Sequence, residues 1–187
     1  MDRRQALYQT ALLFGSIIGG EAILSGCTPK SARSAGALFQ DGDETLLDAI
    51  AETILPTTSD SPGAKAAGAG AFMMLIVQDC YEEKEQKSFV EGLKNIQLQS
   101  ESQFKRAFTG LKPEQQFQLL SALDQKASTY EKNKAEDAPA HAFTLIKQLA
   151  TFAYFSSEAG MTKALRYDPI PGRFEGCVEY MGEKAWA

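Results

Sequence analysis

The sequence predicts an all-α fold, a single-domain bundle of about five main helices that ends in an irregular tail rich in proline and glycine. Apolar residues recur at helical spacing in five successive stretches between residues 43 and 157, and none of them needs a neighbouring strand. Clusters of proline, glycine and polar residues separate these stretches. The chain has 187 residues, 44% of them hydrophobic, which is enough for one core and too little for two.

The first predicted helix begins at Asp43, which is placed to cap it, and Pro56 ends it. Its apolar stripe consists of Leu46, Leu47, Ile50, Ile54 and Leu55. The second predicted helix spans residues 64–81 and begins with alanines and glycines that allow a neighbouring helix to approach closely. Its apolar run, residues 72–77, also fits a buried strand, but the surrounding alanines favour a helix.

Three further helices are predicted. Residues 82–98 form a charged helix, and its buried face includes Phe89, Leu93 and Ile96 and continues to Phe104 and Phe108. Pro113 opens the next helix, which is expected to bury Phe117, Leu119, Leu120 and Leu123. The polar residues 128–139 predict a mobile loop. The fifth helix, residues 140–157, leads into the tail.

The tail after residue 157 is predicted to be a binding segment. Two prolines fix φ, so the segment holds little conformational entropy. Aromatic side chains and arginines offer large contact areas and planar donors along it: Tyr167, Phe174, Tyr180, Arg166 and Arg173. This composition suits binding to another protein, and packing back onto the chain's own helices is the alternative interpretation.

Charge and residue inventory exclude several functions. Acidic residues outnumber basic ones 24 to 19, for a net charge of −5, which excludes nucleic-acid binding. His141 is the only histidine and has no ligand at metal-site spacing, so it is predicted to be a surface or capping residue. Ser156 and Ser157 have no histidine base nearby, and the three cysteines are too few for zinc or haem attachment. No catalytic residue, metal site or cofactor site is therefore predicted in this chain.

Residues 1–27 have the three-part layout of an export signal, with Arg3 and Arg4 preceding an apolar run. Three glycines and a glutamate interrupt that run, which disfavours a transmembrane helix. The paired arginines resemble a twin-arginine signal, the type that carries folded proteins, although Ala6 stands where that family usually has Phe.

The end of this signal, Leu24-Ser25-Gly26-Cys27, is similar to a bacterial lipobox. It predicts lipid attachment at Cys27 and a protein anchored in the cell envelope on the periplasmic side; an uncleaved apolar tether is the alternative. Residues 28–42 are predicted to be a flexible spacer before the helical domain, residues 43–187. After export, Cys80 and Cys177 would meet an oxidising compartment, and a disulfide between them is predicted.

Four groups of residues carry a family resemblance: Glu52-Thr-Ile-Leu-Pro56 with Pro62-Gly63-Ala64, Phe89-Val-Glu-Gly92-Leu93, Tyr154-Phe-Ser-Ser-Glu158-Ala-Gly160, and Tyr167-Asp168-Pro-Ile-Pro171-Gly172 through Gly176-Cys177. Together they resemble the gluconate 2-dehydrogenase subunit 3 family, small subunits of periplasmic flavin-dependent dehydrogenase complexes. Twin-arginine signals also occur in that family, whose small subunit is thought to escort a flavoprotein without its own signal across the membrane. The lipobox is a departure from the family.

The resemblance implies a non-catalytic role in export, assembly and anchoring. FAD, hydride abstraction from a sugar or sugar acid, and any haem would belong to partner chains, a larger flavoprotein and a cytochrome c subunit, with the twin-arginine export machinery as a further partner. The predicted interface with the flavoprotein comprises Ser157, Glu158, Tyr167, Asp168, Pro169, Pro171, Gly172 and Phe174. A free-standing envelope lipoprotein that binds a ligand or polysaccharide is the competing hypothesis.

Overall fold

A computed structural model describes residues 38–170, 172, 176–177 and 179–187. Five α-helices occupy this part of the chain: α1 (Asp43–Ile54), α2 (Ala69–Cys80), α3 (Glu83–Phe104), α4 (Pro113–Asn133) and α5 (Ala142–Phe155). A 3₁₀ turn, Phe108–Gly110, lies between α3 and α4, and a π-helical turn, Gly160–Ala164, follows α5. No strand occurs among the described residues, so the predicted all-α class and its five main helices are confirmed.

The central element is α5, because it contacts each of the other four α-helices. One face of α5 is buried through Phe143, Ile146, Leu149, Ala150, Ala153 and Tyr154. Against it lie the buried side chains of the other helices, including Leu47, Ile50, Met73, Val77, Phe89, Leu93, Ile96, Leu119 and Leu123. Full burial of one such aliphatic or aromatic side chain stabilises the fold by roughly 1.5–3 kcal/mol. None of the described helices is long and apolar enough to cross a membrane.

The packed body begins before α1. Phe39 is buried and meets the ring of Phe89 edge-on, with 6.2 Å between the ring centroids and 87° between the planes. The predicted spacer, residues 28–42, is described only from Leu38 onward, and that part belongs to the compact unit Leu38–Ala187. The predicted export signal, residues 1–27, lies outside the described residues.

The starts of α1 and α2 differ from the sequence prediction. Gly42, with φ of +97°, is the N-cap of α1, a conformation that favours glycine. Asp43 is the first helical residue instead, and its carboxylate accepts a hydrogen bond from the Gln40 N–H at 2.8 Å. The second helix begins at Ala69, and residues 64–68 form turns. The apolar run 72–77 is helical, as predicted.

The middle of the chain is more helical than predicted. The third helix extends to Phe104, and α4 extends to Asn133, so the predicted loop at 128–139 is helical in its first six residues. The prediction that Phe117 is buried is wrong, since 65% of its surface is exposed. Leu119, Leu120 and Leu123 are buried as predicted, because they lie on the face of α4 that meets the core.

A close approach of α3 and α5 requires a small residue at Gly92. A Cβ built there would lie 2.8 Å from Ala142 Cβ and 3.2 Å from Ile146 Cδ1. Real Cβ atoms essentially never come within 3.0 Å of another carbon, so one helix would have to move. The glycine of the Phe89–Leu93 motif therefore sets the distance between these two helices.

The substitution Gly92→Ala is expected to lower the free energy of unfolding by up to about 2 kcal/mol. Overpacking costs about 1–3 kcal/mol, which exceeds the gain of about 1 kcal/mol from helix propensity. Urea unfolding measures the difference. The matched control is Gly110→Ala, where an added Cβ has no atom within 4 Å. A Gly92→Ala protein as stable as that control would contradict the close approach.

Candidate functional site

The tail leaves the helical body at the end of α5, where Tyr154 fixes the exit. Only 4% of the surface of Tyr154 is exposed. Its hydroxyl donates to the Pro62 carbonyl at 2.8 Å and lies 2.9 Å from the Ser61 hydroxyl. These bonds connect α5 to the loop between α1 and α2, and the end of α5 is therefore held against that loop.

That loop is organised by Glu52, in the last turn of α1. One carboxylate oxygen accepts hydrogen bonds from the N–H and the hydroxyl of Thr57, both at 2.9 Å, and the other accepts from the Lys65 N–H at 3.0 Å. The Thr57 hydroxyl accepts in turn from the Gly63 N–H at 3.0 Å. A Cβ on Gly63 would collide with the Glu52 carboxylate. Charge-assisted hydrogen bonds of this kind hold the loop in one conformation.

Beyond Tyr154, Ser157 turns the chain into the tail. Its hydroxyl donates to the Tyr154 carbonyl at 2.6 Å and accepts from the Gly160 N–H at 3.0 Å. A Cβ on Gly160 would collide with the same carbonyl, so glycine is required there. Ser157, a predicted interface residue, therefore has an internal role at the helix end, whereas its neighbour Glu158 is exposed.

The described part of the tail is exposed. From Tyr167 onward every described residue is exposed except Glu183, which is half-buried. Large apolar side chains are among them, with exposed fractions of 49% for Tyr167, 82% for Ile170, 78% for Tyr180, 79% for Met181 and 58% for Trp186. From Tyr167 onward, none of the described residues belongs to the hydrophobic core. Exposed apolar groups at this density are typical of a surface that binds another molecule.

The structure places the remaining predicted site residues as follows. Asp168, Pro169 and Gly172 are exposed, and the Asp168 carboxylate accepts from the Ile170 N–H at 3.1 Å across the proline. Cys80 and Cys177 are free thiols, both exposed, and the predicted disulfide is not present. The other predicted residues lie outside the described ones: Pro171, Phe174, Arg3, Arg4 and Cys27.

His141 caps α5, as the sequence predicts. Its Nδ1 accepts a hydrogen bond from the Phe143 backbone N–H at 3.1 Å, and the backbone N–H of His141 donates to the Glu131 carboxylate at 2.7 Å. Hydrogen bonds from Lys134 and from the His141 backbone hold the pKa of Glu131 below its ordinary value. The contact between Glu131 and the His141 backbone therefore stabilises the folded state at pH values above the ordinary carboxyl pKa. This stabilisation is lost as the pH falls through the lowered pKa of Glu131. No three His, Cys, Asp or Glu side chains cluster as a metal site among the described residues.

A groove of about 720 Å³ lies between α4 and α5, and sequence analysis did not find it. Phe152 and Phe155 line it together with mostly polar side chains, and the Lys147 ammonium donates to both carboxylate oxygens of Asp124, at 2.8 and 2.9 Å. Phe152 is 56% exposed. A sequence pattern does not reveal such a groove, because it depends on how two helices face each other.

The fold and this site define a small all-helical protein whose most exposed apolar residues lie in its C-terminal tail. The family model for gluconate 2-dehydrogenase subunit 3 matches residues 41–172, which is 132 of the 187 residues. The chain therefore belongs to the gluconate 2-dehydrogenase subunit 3 family, a subunit of an oxidoreductase complex with larger catalytic partners. No curated protein and no solved structure matches the chain.

Replacing Glu52 with Gln is expected to release the loop between α1 and α2. An amide offers one acceptor oxygen where the carboxylate offers two, so at least one of the N–H groups of Thr57 and Lys65 loses its partner. The expected loss of stability is about 1–3 kcal/mol, with faster amide hydrogen exchange at both residues. Glu91→Gln, at an exposed position on α3, is the control. Unchanged exchange at Thr57 and Lys65 would show that Glu52 does not hold the loop.

Proposed function

We propose that this chain is the non-catalytic small subunit of a periplasmic, membrane-bound, flavin-dependent dehydrogenase complex. It assists the export, assembly and anchoring of the catalytic flavoprotein. The observation that supports the proposal is the family match over residues 41–172, because the family is a subunit of a dehydrogenase complex. FAD and any haem would be bound by the flavoprotein and a cytochrome c subunit, and not by this chain.

The exposed tail supports a docking role. Tyr167, Ile170 and Tyr180 present apolar surface to solvent, and aromatic residues are the type that most often carries interface energy. Pro169 fixes φ in the middle of this segment, so binding orders few additional torsions. The end of α5 is fixed by Tyr154 and Ser157, so the tail starts from a defined position.

The N-terminal motifs support the export and anchoring part of the proposal. Arg3 and Arg4 would direct the folded chain, together with a bound flavoprotein lacking its own signal, to the twin-arginine machinery. Lipid attached at Cys27 would then hold the complex at the membrane, since several acyl chains anchor a protein far more firmly than one.

A second candidate function is that of a free-standing envelope lipoprotein that binds a ligand. The groove between α4 and α5 favours it, because its volume lies in the range of small-molecule sites and two phenylalanine rings lie among its polar lining residues. The two candidates differ in what accompanies the protein in the membrane.

Affinity purification of the full-length chain from membranes is expected to recover a larger chain with a flavin absorbance spectrum. Tyr167→Ala should weaken that association by about 2 kcal/mol, roughly thirtyfold in Kd, because it removes an anchor of the docking surface. Binding of the purified flavoprotein to each variant measures the change.

Phe117→Ala is the matched control, because Phe117 is also an exposed aromatic residue but lies on α4. It should leave Kd within about twofold of the wild-type value. Absence of any co-purifying flavoprotein would refute the proposed function. If Tyr167→Ala and Phe117→Ala raise Kd by the same factor, the interface lies outside the tail.

Replacing both Arg3 and Arg4 with Lys is expected to block export of this chain and to leave its flavoprotein partner in the cytoplasm. The export receptor recognises guanidinium groups rather than positive charge alone. Cell fractionation measures both proteins, and Arg33→Lys is the control outside the signal. Normal periplasmic delivery of the double variant would contradict the twin-arginine interpretation.

A further inference from the structure

The last residues of the chain return to the start of the tail and bind at Arg166. The Arg166 N–H donates to the Ala185 carbonyl at 2.8 Å, and the Ala187 N–H donates to the Arg166 carbonyl at 3.1 Å. These two bonds make the isolated parallel bridge between Arg166 and Trp186. Arg166 is therefore hydrogen-bonded through its backbone to both Ala185 and Ala187.

Side chains reinforce this closure. The Arg166 guanidinium carbon lies 3.6 Å from the centroid of the Trp186 ring, in a cation–π contact, and Arg166 Nη1 is 3.7 Å from Glu183 Oε1. The other oxygen of Glu183 accepts from the Met181 N–H at 2.8 Å. Backbone hydrogen bonds at Glu183 and Met181, together with the Arg166 charge, hold the pKa of Glu183 below its ordinary value. The Lys184 ammonium donates to the Lys163 carbonyl in the π-helical turn.

We call this set of contacts among Arg166, Glu183 and Trp186 the Arg166 clamp. It brings residues from the two ends of the tail to the same part of the surface: Tyr167 directly follows Arg166 in sequence, and Trp186 lies over its guanidinium. The family match ends at Gly172, so the segment that closes the clamp follows the matched range. The exposed side chains of Tyr180, Met181 and Trp186 thus extend the apolar surface of the tail beyond that range.

We propose that residues 179–187, closed on Arg166 by Trp186, are a preassembled second half of the surface that docks on the larger flavoprotein subunit. Arg166 is the positioning residue, and Tyr180, Met181 and Trp186 make the contacts. The inference rests on the proposed function. A chain of this family is a subunit of a complex with larger partners, which identifies the partner that covers this apolar surface. The partner's matching surface is apolar, because the side chains it meets are aromatic and thioether groups.

Preassembly has a defined consequence for affinity. If only the closed tail binds, the apparent Kd equals the intrinsic Kd divided by the closed fraction. Opening the clamp therefore weakens binding without removing any contacting side chain. Arg166→Gln is such a change, since it removes the charge over Trp186 and the ion pair with Glu183 but leaves all three apolar contact residues in place.

The first measurement needs no partner, because Trp186 is the only tryptophan in the chain and its fluorescence reports the clamp directly. Arg166→Gln is expected to increase acrylamide quenching of Trp186 and to speed amide exchange at Arg166 and Ala187 about tenfold. Arg166→Lys should restore part of the protection through its charge. The control Arg106→Gln, at an exposed residue after α3, should match the wild type. Quenching and exchange unchanged by Arg166→Gln would overturn the clamp.

The second measurement is binding of the purified flavoprotein that co-purifies with the wild-type chain. Arg166→Gln should raise Kd by the factor by which the exchange measurement shows the closed fraction to fall, with most of the change in the association rate. If the closed fraction falls more than twofold and Kd does not rise with it, the inference fails while the proposed function stands. If the wild-type chain binds no flavoprotein, both fail. The inference would also be overturned if the wild-type chain alone forms a dimer. The same holds if phosphatidylglycerol vesicles shift the fluorescence emission of Trp186 as much as the flavoprotein does.

Discussion

Tyr154 is the residue on which the arrangement of body and tail depends. Its ring is buried in a helix that contacts each of the other four α-helices between residues 38 and 170, its hydroxyl donates to the Pro62 carbonyl, and its own carbonyl accepts from Ser157. One residue thus joins the core, the loop between α1 and α2, and the turn into the tail. Buried polar groups are costly unless paired, so these bonds select one geometry for the exit. The tail consequently starts at a fixed position, although its own side chains lie in solvent.

The residues behind the family resemblance divide into two physical roles. Glu52, Gly63, Gly92 and Gly160 hold the body: the carboxylate organises a loop, and the glycines stand where a Cβ would collide with a neighbour. The tail residues of the resemblance, 167–177, do not hold the body in this way, because the described ones are exposed. The described residues from Tyr167 onward contribute nothing to the core, and a partner that binds the tail is the proposed explanation. Subunit-family membership agrees with this explanation.

Much of the fold follows from local sequence patterns, and the rest depends on contacts that such patterns do not encode. Periodic apolar residues predict the five helices, and His141 is recognisable as a capping residue because a cap involves only near neighbours. The exposure of Phe117 depends instead on which face of α4 meets the core. The pairing of Arg166 with Trp186 joins residues twenty positions apart and has no local signature. Composition alone predicts a binding segment in the tail, whereas the contact of Trp186 with Arg166 is visible only in the structure.

Hydrogen–deuterium exchange of the chain, free and in complex with the proposed flavoprotein subunit, tests the central claim most directly, since it maps contact along the whole sequence at once. The account predicts that complex formation slows exchange in residues 166–187 and leaves the exposed face of α3 unchanged. Slower exchange confined to the groove between α4 and α5, with residues 166–187 exchanging as in the free chain, would contradict it.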